Sequence, residues 1–268
     1  NALTLEMIDP ITAQLHEWKN DDAVVAIWLQ GEGEKAFCAG GDIVKLYESM
    51  LENPKGPNAF AADFFGREYQ LDYLLHTYDK PIICWGSGIV MGGGLGLLSG
   101  CSHRIVTETT RMAMPEITIG LFPDVGGTWF LNRMPGSSGL FLGLTGASIN
   151  ATDAIFTGLA DYFVPAENKQ SLLDEICSLP FGEDVDDNHL QIRNLMMSVS
   201  KEHKDSSPLG QVEPHMKTIS ALVKADNLAA TIQAITTYQT DDKWLSRGIT
   251  SLAKGCPVTA HLVNEQLH

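Results

Sequence analysis

Basic residues are scarce in this sequence of 268 residues. Lysine and arginine together number 18, aspartate and glutamate number 33, and the formal net charge is −15. A phosphate backbone is bound by a basic protein face, so this charge argues against nucleic acid as a partner. It does not exclude a small phosphorylated ligand, which needs only a few local cations.

Cysteine is also sparse, and its pattern excludes a disulfide framework. The five cysteines are odd in number and none forms a CxxC pair. They are expected to be reduced and structural, which favours a reducing compartment. No apolar run is long enough to cross a membrane and no signal peptide is evident, and we expect no membrane partner. The cysteines are Cys38, Cys84, Cys101, Cys177 and Cys256.

The first residues, Asn1 to Met7, have the pattern of a helix start with no strand before it. We therefore expect the chain to be a piece of a longer protein. The expected location is the cytoplasm, or the mitochondrial matrix if the source is eukaryotic.

Several catalytic signatures are missing. The eight histidines are far apart, and neither HExxH nor a metal-ligand spacing occurs. No serine has the GxSxG elbow of the α/β-hydrolases. The glycines around Gly94 do not fit the dinucleotide fingerprint, and no P-loop lysine follows them. The sequence predicts no metal site.

Short apolar strands alternate with helical segments up to about residue 180, which predicts an α/β fold. From there the pattern turns helical and polar. We predict a core domain over residues 1–180 and a mostly helical region over 181–268. The predicted strands are Ala23–Leu29, Ile82–Trp85, His103–Thr107, Arg111–Met114 and Leu159–Val164.

Two glycine turns lead into predicted helices. One is Cys38–Asp42, where Asp42 is a plausible helix N-cap, and the other is Met91–Gly96. Glycine there permits close packing of helix on strand, which is the structural interpretation. The functional interpretation is that exposed backbone N–H groups from both turns surround one oxygen and stabilise its developing charge.

Two carboxylates lie near the end of a short apolar segment. Glu116 follows Pro115 and has few polar neighbours, so partial desolvation is expected. Asp124 follows eight residues later, before a second glycine pair. The competing interpretations are an ordinary surface glutamate at a strand end and an aspartate that caps the next helix.

Three ordered segments resemble the crotonase superfamily. They are KAFCAGGDI (35–43), KPIICWGSGIVMGGGLGL (80–97) and MPEITIGLFPDVGG (114–127), and they are most similar to the 3-hydroxyisobutyryl-CoA hydrolases. The resemblance is strong over residues 1–164. It implies a superhelix of ββα turns that binds an acyl-CoA, with CoA as part of the substrate and no further cofactor. A homo-oligomer is compatible with it.

The resemblance also assigns residues. It makes Glu116 and Asp124 the catalytic carboxylates, and the N–H groups of Ala39 and Gly93 the oxyanion-hole donors. The remaining substrate-binding positions are Glu68, Gly40, Gly41, Asp42 and Gly92.

Two positions separate the branches of this superfamily. The hydratases of this superfamily add water with two glutamates, one as base and one as acid. In this sequence Gly96 occupies the position that matches the second glutamate. Asp124 matches the hydrolases. We therefore predict hydrolysis of a short 3-hydroxyacyl-CoA, such as 3-hydroxyisobutyryl-CoA of valine catabolism. Glu116 would act as nucleophile or as general base. The alternatives are a hydratase or isomerase that uses Glu116 alone, and a non-catalytic acyl-CoA-binding homologue.

Overall fold

Seven short strands run through this computed structural model, which describes residues 1–225 and 227–267. Apart from the second and fourth, they lie in the regions where the sequence predicts strands. Their bounds are β1 (Ile27–Gln30), β2 (Ala36–Cys38), β3 (Ile82–Gly86), β4 (Ile89–Met91), β5 (His103–Val106), β6 (Arg111–Ala113) and β7 (Tyr162–Phe163).

The strands form two parallel sheets. The odd-numbered strands make one sheet in the order β1-β3-β5-β7, and the even-numbered strands make the other in the order β2-β4-β6. Every neighbouring pair is parallel. Consecutive strands thus lie in different sheets, and each turn of the chain adds one strand to each. Strand β3 is buried along its whole length, as expected for an inner strand of a parallel sheet that is covered on both faces.

Helices connect and cover the sheets. Asp42 begins one of them as predicted and Asn150 begins another, since their side chains accept hydrogen bonds from the N–H groups of Lys45 and Asp153. The helices are α1 (Leu5–Lys19), α2 (Ile43–Glu52), α3 (Ala59–His76), α4 (Gly93–Gly100), α5 (Gly127–Leu131), α6 (Ser138–Thr145), α7 (Ala151–Phe156), α8 (Lys169–Cys177), α9 (Val185–Glu202), α10 (Val212–Leu222), α11 (Leu228–Thr237), α12 (Lys243–Lys254) and α13 (Pro257–Leu267).

Two predicted strands are shorter than expected, and local hydrogen bonds explain both. Before β1, the N–H groups of Ala23 and Val24 bond to Asp21 in a turn, so sheet pairing starts only at Ile27. Before β7, the N–H groups of Leu159 and Ala160 both bond to the carbonyl of Ala154, which ends α7. Apolar composition marked these segments correctly but could not show that their amides were already in use.

The helices after residue 181 pack against the core. Helices α10, α12 and α13 all contact α6, and the Cys256 N–H donates to the Ile117 carbonyl at 2.8 Å. The division into two domains at residue 180 stays a prediction. Within residues 1–225 and 227–267, no helix combines the length and the apolar character that crossing a bilayer requires. All five cysteines are free, and Cys177 is exposed.

Candidate active site

Glu116 is a buried carboxylate with an incomplete set of partners. The chain leaves β6, passes Pro115 and forms a 3-10 helix, Glu116–Thr118, so Glu116 begins a helical turn and not a strand end. Its residue surface is 3% exposed. Oε2 accepts no hydrogen bond from any residue that the structure describes. Burial raises the pKa of Glu116 to about 8, because the charged form loses its hydration.

The glycine turns lie directly beside this carboxylate. Gly92 precedes α4 with φ +50°, a conformation that glycine adopts without strain. A Cβ at position 92 would lie 3.2 Å from Oε1 of Glu116 and 3.7 Å from the Cα of Gly40. The two predicted turns and Glu116 therefore meet, although their sequence positions are far apart.

The two predicted oxyanion donors differ in their present partners. The Gly93 N–H opens α4 and finds no acceptor among the described residues, as is usual for the first turn of a helix. The Ala39 N–H donates to the Asn1 carbonyl at 2.8 Å. The Ala39 assignment stays a prediction and requires that this contact be given up. The Gly41 N–H, which lies 3.6 Å from the Cβ position of Gly93, has no acceptor within the same residues.

Glu68 reaches the same place from helix α3. It is only 2% exposed, and its Oε1 contacts the position that a Cβ at Gly93 would occupy. Burial, together with the nearby charges of Asp72, Asp124 and Glu116, raises the pKa of Glu68 to about 8. Glu68 is therefore a buried helix carboxylate and not a solvated one.

Asp124 is held by a tyrosine that the sequence did not single out. The Tyr69 hydroxyl donates to Oδ2 of Asp124 at 2.8 Å. Burial raises the pKa of Asp124, and this hydrogen bond partly offsets the rise. Asp124 does not cap the next helix, because α5 has Gly126 as its N-cap without a side-chain bond. Between them, Val125 has φ +41°, a strained conformation for a β-branched residue that costs on the order of 1–3 kcal/mol.

A fourth acidic residue, Asp72, completes the group. It lies one turn after Glu68 on α3, and burial raises the pKa of Asp72 to about 8, with the Asp124 charge adding to the effect. Tyr69 and Asp72 were missed by sequence reasoning. Asp72 lies four residues after Glu68 and three after Tyr69, so it is next to both on the helix surface, and this spacing is the signal that could have found them.

The remaining predicted binding residues have structural partners. The Gly40 carbonyl accepts from the Leu3 N–H, and the Asp42 N–H donates to the Leu3 carbonyl. Two basic residues that could meet CoA phosphates are already in ion pairs: Lys45 with Glu6, and Arg67 with Asp9 and Asp63.

A cavity of about 470 Å³ adjoins Asp72 and Asp124, whereas Glu116 and Glu68 are not among its lining residues. Asp72 and Asp124 line it on its polar side, and aromatic side chains such as Trp129 line much of the remainder. Such a mostly apolar cavity with a few convergent polar groups is typical of a small-molecule site. Parallel sheets of alternating strands, facing glycine turns and a buried carboxylate between them define a protein of the crotonase class.

Comparison with known proteins agrees with this class. The family described as "Enoyl-CoA hydratase/isomerase" matches residues 1–268, and the chain belongs to that family. The resemblance and the fold class predicted from the sequence are thereby confirmed.

Two curated relatives and one solved structure illustrate the similarity. The mitochondrial 3-hydroxyisobutyryl-CoA hydrolase of Danio rerio is 45% identical over 67% of this chain and 46% of its own length. The small ribosomal subunit protein mS47 of Neurospora crassa is 42% identical over 67% of this chain and 35% of its own length. The chain thus spans less than half the length of these two relatives. A carnitinyl-CoA dehydratase from Mycobacterium thermoresistibile has a TM-score of 0.83 and 33% identity, covering 99% of this chain and 73% of that one.

Proposed function

We propose that this protein hydrolyses the thioester of a short 3-hydroxyacyl-CoA, with 3-hydroxyisobutyryl-CoA as the first candidate. The observation that carries the proposal is the position of Glu116, a buried carboxylate beside Gly92, which in turn lies next to Gly40. The similarity to the Danio rerio hydrolase supports the choice of reaction, and its mitochondrial location supports the same compartment for this protein.

The geometry suggests how the reaction would run. The thioester carbonyl oxygen would accept a hydrogen bond from the Gly93 N–H, which stabilises the negative charge that develops on it. The ionised Glu116 carboxylate would attack the carbonyl carbon, the C–S bond would break, and CoA would leave as thiolate. Water would then hydrolyse the mixed anhydride, releasing the hydroxy acid and regenerating Glu116.

A second route uses the same atoms differently. Glu116 would act as general base and take a proton from water as the water attacks the thioester carbonyl. Both routes consume one water and release one thiol and one carboxylic acid. In both, Asp124 would accept a hydrogen bond from the substrate 3-hydroxyl, and Tyr69 would keep the Asp124 carboxylate in place.

Thiol release tests the proposal. Purified protein is assayed with a disulfide reagent against 3-hydroxyisobutyryl-CoA and 3-hydroxypropionyl-CoA. We expect turnover by the wild type and a loss of about 10³-fold or more in kcat for Glu116→Gln, which removes the charge with little change of shape. The matched control is Glu202→Gln, an exposed carboxylate on α9. Wild-type thiol release by Glu116→Gln would contradict the proposal.

Hydration of an enoyl-CoA is the second candidate. It is favoured by the similarity to a protein named as a carnitinyl-CoA dehydratase and by Asp72, whose carboxyl group lies next to Gly96. Loss of enoyl absorbance without thiol release would support it. A non-catalytic ribosomal role, suggested by the mS47 relative, is disfavoured by the net charge of −15, because ribosomal RNA is polyanionic.

A further inference from the structure

Asp72 is a half-buried acidic residue whose carboxyl group is buried, and the proposed reaction does not use it. Both of its carboxyl oxygens are almost inaccessible to solvent, and neither has a hydrogen-bond partner among residues 1–225 and 227–267. An unpartnered buried polar group is costly, and such groups are rare outside functional sites. The nearby acidic residues Glu68 and Asp124 also disfavour a negative charge on Asp72.

The glycine at position 96 makes room for this side chain. A Cβ at position 96 would lie 3.0 Å and 3.1 Å from the two carboxyl oxygens of Asp72, and 2.5 Å from the Cβ of Val125. Any other residue would therefore displace Asp72 or the Val125 backbone. The carboxyl group of Asp72, from α3, occupies the space that a side chain at position 96 of α4 would otherwise fill.

Asp72 shares a cavity with Asp124, and the two carboxyl groups have complementary hydrogen-bonding capacity. Burial favours the neutral acid of Asp72, which has one O–H donor and a carbonyl acceptor. Asp124 receives the Tyr69 hydroxyl, a contact that favours its ionised, acceptor-only form. A hydroxyl group both donates and accepts, so once the Asp72 carboxyl group turns toward the cavity that both residues line, the hydroxyl can donate to Asp124 while it accepts from Asp72. An apolar acyl chain would leave both groups unpaired.

We propose that Asp72 is a specificity-determining residue that, together with Asp124, binds a hydroxyl group on the acyl chain of the substrate. This inference rests on the proposed acyl-CoA ligand. It assigns Asp72 to recognition of the hydroxyl group, and it assigns the reacting bond to Glu116. It therefore predicts selectivity between two thioesters that differ only in that hydroxyl.

The test compares 3-hydroxybutyryl-CoA with butyryl-CoA. The measured quantity is the ratio of their kcat/KM values, for the wild type, Asp72→Asn and Asp72→Leu. We expect Asp72→Leu to lower this ratio about tenfold or more, because the hydroxyl loses a partner in a desolvated site. Asp72→Asn keeps a donor and an acceptor, so we expect its ratio to stay within about threefold of the wild type. Glu202→Gln is the control and should leave the ratio unchanged.

Thermal unfolding supplies a second measurement. Because Asp72 is buried without a partner, Asp72→Leu should raise the melting temperature while it lowers the selectivity. A residue with a merely structural role would show a lower melting temperature and an equal loss on both thioesters, and that result would overturn the inference. Asp72→Ala repeats the selectivity measurement if the leucine variant does not fold.

The inference and the proposed function can fail separately. If the wild type releases thiol but Asp72→Leu keeps the wild-type ratio, the inference is wrong and hydrolysis stands. If the wild type releases no thiol, binding is measured by thermal shift with the same two thioesters. A preference for the hydroxylated thioester that Asp72→Leu abolishes would then support the inference although hydrolysis has failed, and an unaltered preference would overturn it.

Discussion

Glu116 is placed under opposing demands. It must be ionised to attack a carbonyl or to accept a proton, yet burial raises its pKa to about 8. A carboxylate held in an apolar, poorly hydrated site is a stronger base and nucleophile than one in water, which is the chemical benefit of such burial. The cost is that only part of the population is ionised at neutral pH.

A pH–rate profile should show this partial ionisation of Glu116. With Glu116 protonated below its pKa, we expect kcat/KM for thiol release to rise about tenfold per pH unit below pH 8 and to level off above it. The measurement is kcat/KM between pH 6 and 9.5, at temperatures where the protein stays folded. Glu202→Gln should have the same profile. A rate that does not change across this range would show that Glu116 is already ionised at pH 6.

At the residue scale, sequence reasoning reached some of the site and missed the rest. Glu116, Asp124 and the glycine turns lie in short segments, and the spacing of these segments can be recognised from the sequence alone. Asp72 and Tyr69 are ordinary helix residues until α3 packs against α4 and brings them to Asp124. The contact of the Ala39 N–H with Asn1 is likewise tertiary, and spacing could not reveal it.

At the scale of elements, helix α4 is packed too closely for a side chain at position 96. Introducing a glutamate by Gly96→Glu should destabilise the fold by at least about 1–3 kcal/mol, because its Cβ alone would lie 2.5 Å from the Cβ of Val125. The measurement is the urea unfolding midpoint. The control is Gly66→Glu, on α3, where nothing lies within 4 Å of the added Cβ. We expect that change to be neutral or slightly stabilising, since glycine is a poor helix former.

Equal midpoints for the two glutamate variants would mean that the loop around Val125 moves aside at little cost. In that case the strained backbone at Val125 would be the first place to look for the movement.

Asp153 joins two helices that are distant in sequence. It is 1% exposed, and its Oδ1 accepts hydrogen bonds from the N–H groups of Gln211 and Val212, each at 2.7 Å. It also completes a capping box with Asn150 at the start of α7. The carboxylate therefore fixes the beginning of α10 to the core.

Asp153→Ala should lower the free energy of unfolding by about 3 kcal/mol or more, because three backbone N–H groups lose the buried carboxylate that accepts their hydrogen bonds. Asp174→Ala, at an exposed site on α8, should change it by less than about 0.5 kcal/mol. Urea unfolding compares the two. A small effect at Asp153 would mean that water replaces the lost acceptor.

At the scale of the whole molecule, the buried carboxyl groups should determine how stability depends on pH. The folded-state pKa values of Glu68, Asp72 and Glu116 are each raised to about 8, whereas unfolded carboxyl groups titrate near pH 4. Between about pH 4 and 8 the folded state therefore binds more protons than the unfolded state. Stability should fall as pH rises through this window.

One histidine acts in the opposite sense. Burial, with the adjacent His189, lowers the pKa of His103 to about 4, below the value near 6.5 expected for an unfolded chain. Between these values the unfolded state binds the extra proton, so this contribution to stability rises with pH. A single histidine cannot outweigh three carboxyl groups, and the net slope should stay negative.

Urea unfolding at pH 5.5, 6.5 and 7.5 measures this slope. The free energy of unfolding should decrease from the lowest to the highest pH. Glu116→Gln should reduce the slope by up to about 1.4 kcal/mol per pH unit, which corresponds to one proton. An increase in stability over the same range would show that the carboxyl groups ionise normally in the folded protein.

The sequence by itself determined the alternation of strands and helices, the two glycine turns and the neighbouring carboxylates, and through them the family. These features are local, because a backbone turn or an N-cap depends on a few consecutive residues. Only the tertiary structure decided that helix α3 supplies Glu68, Tyr69 and Asp72 to one side of the site, and that Gly96 leaves space for Asp72. The tertiary structure also decided which carboxyl groups keep a proton. A carboxyl group holds its proton to higher pH when distant segments exclude water from it, and no stretch of sequence encodes that exclusion alone.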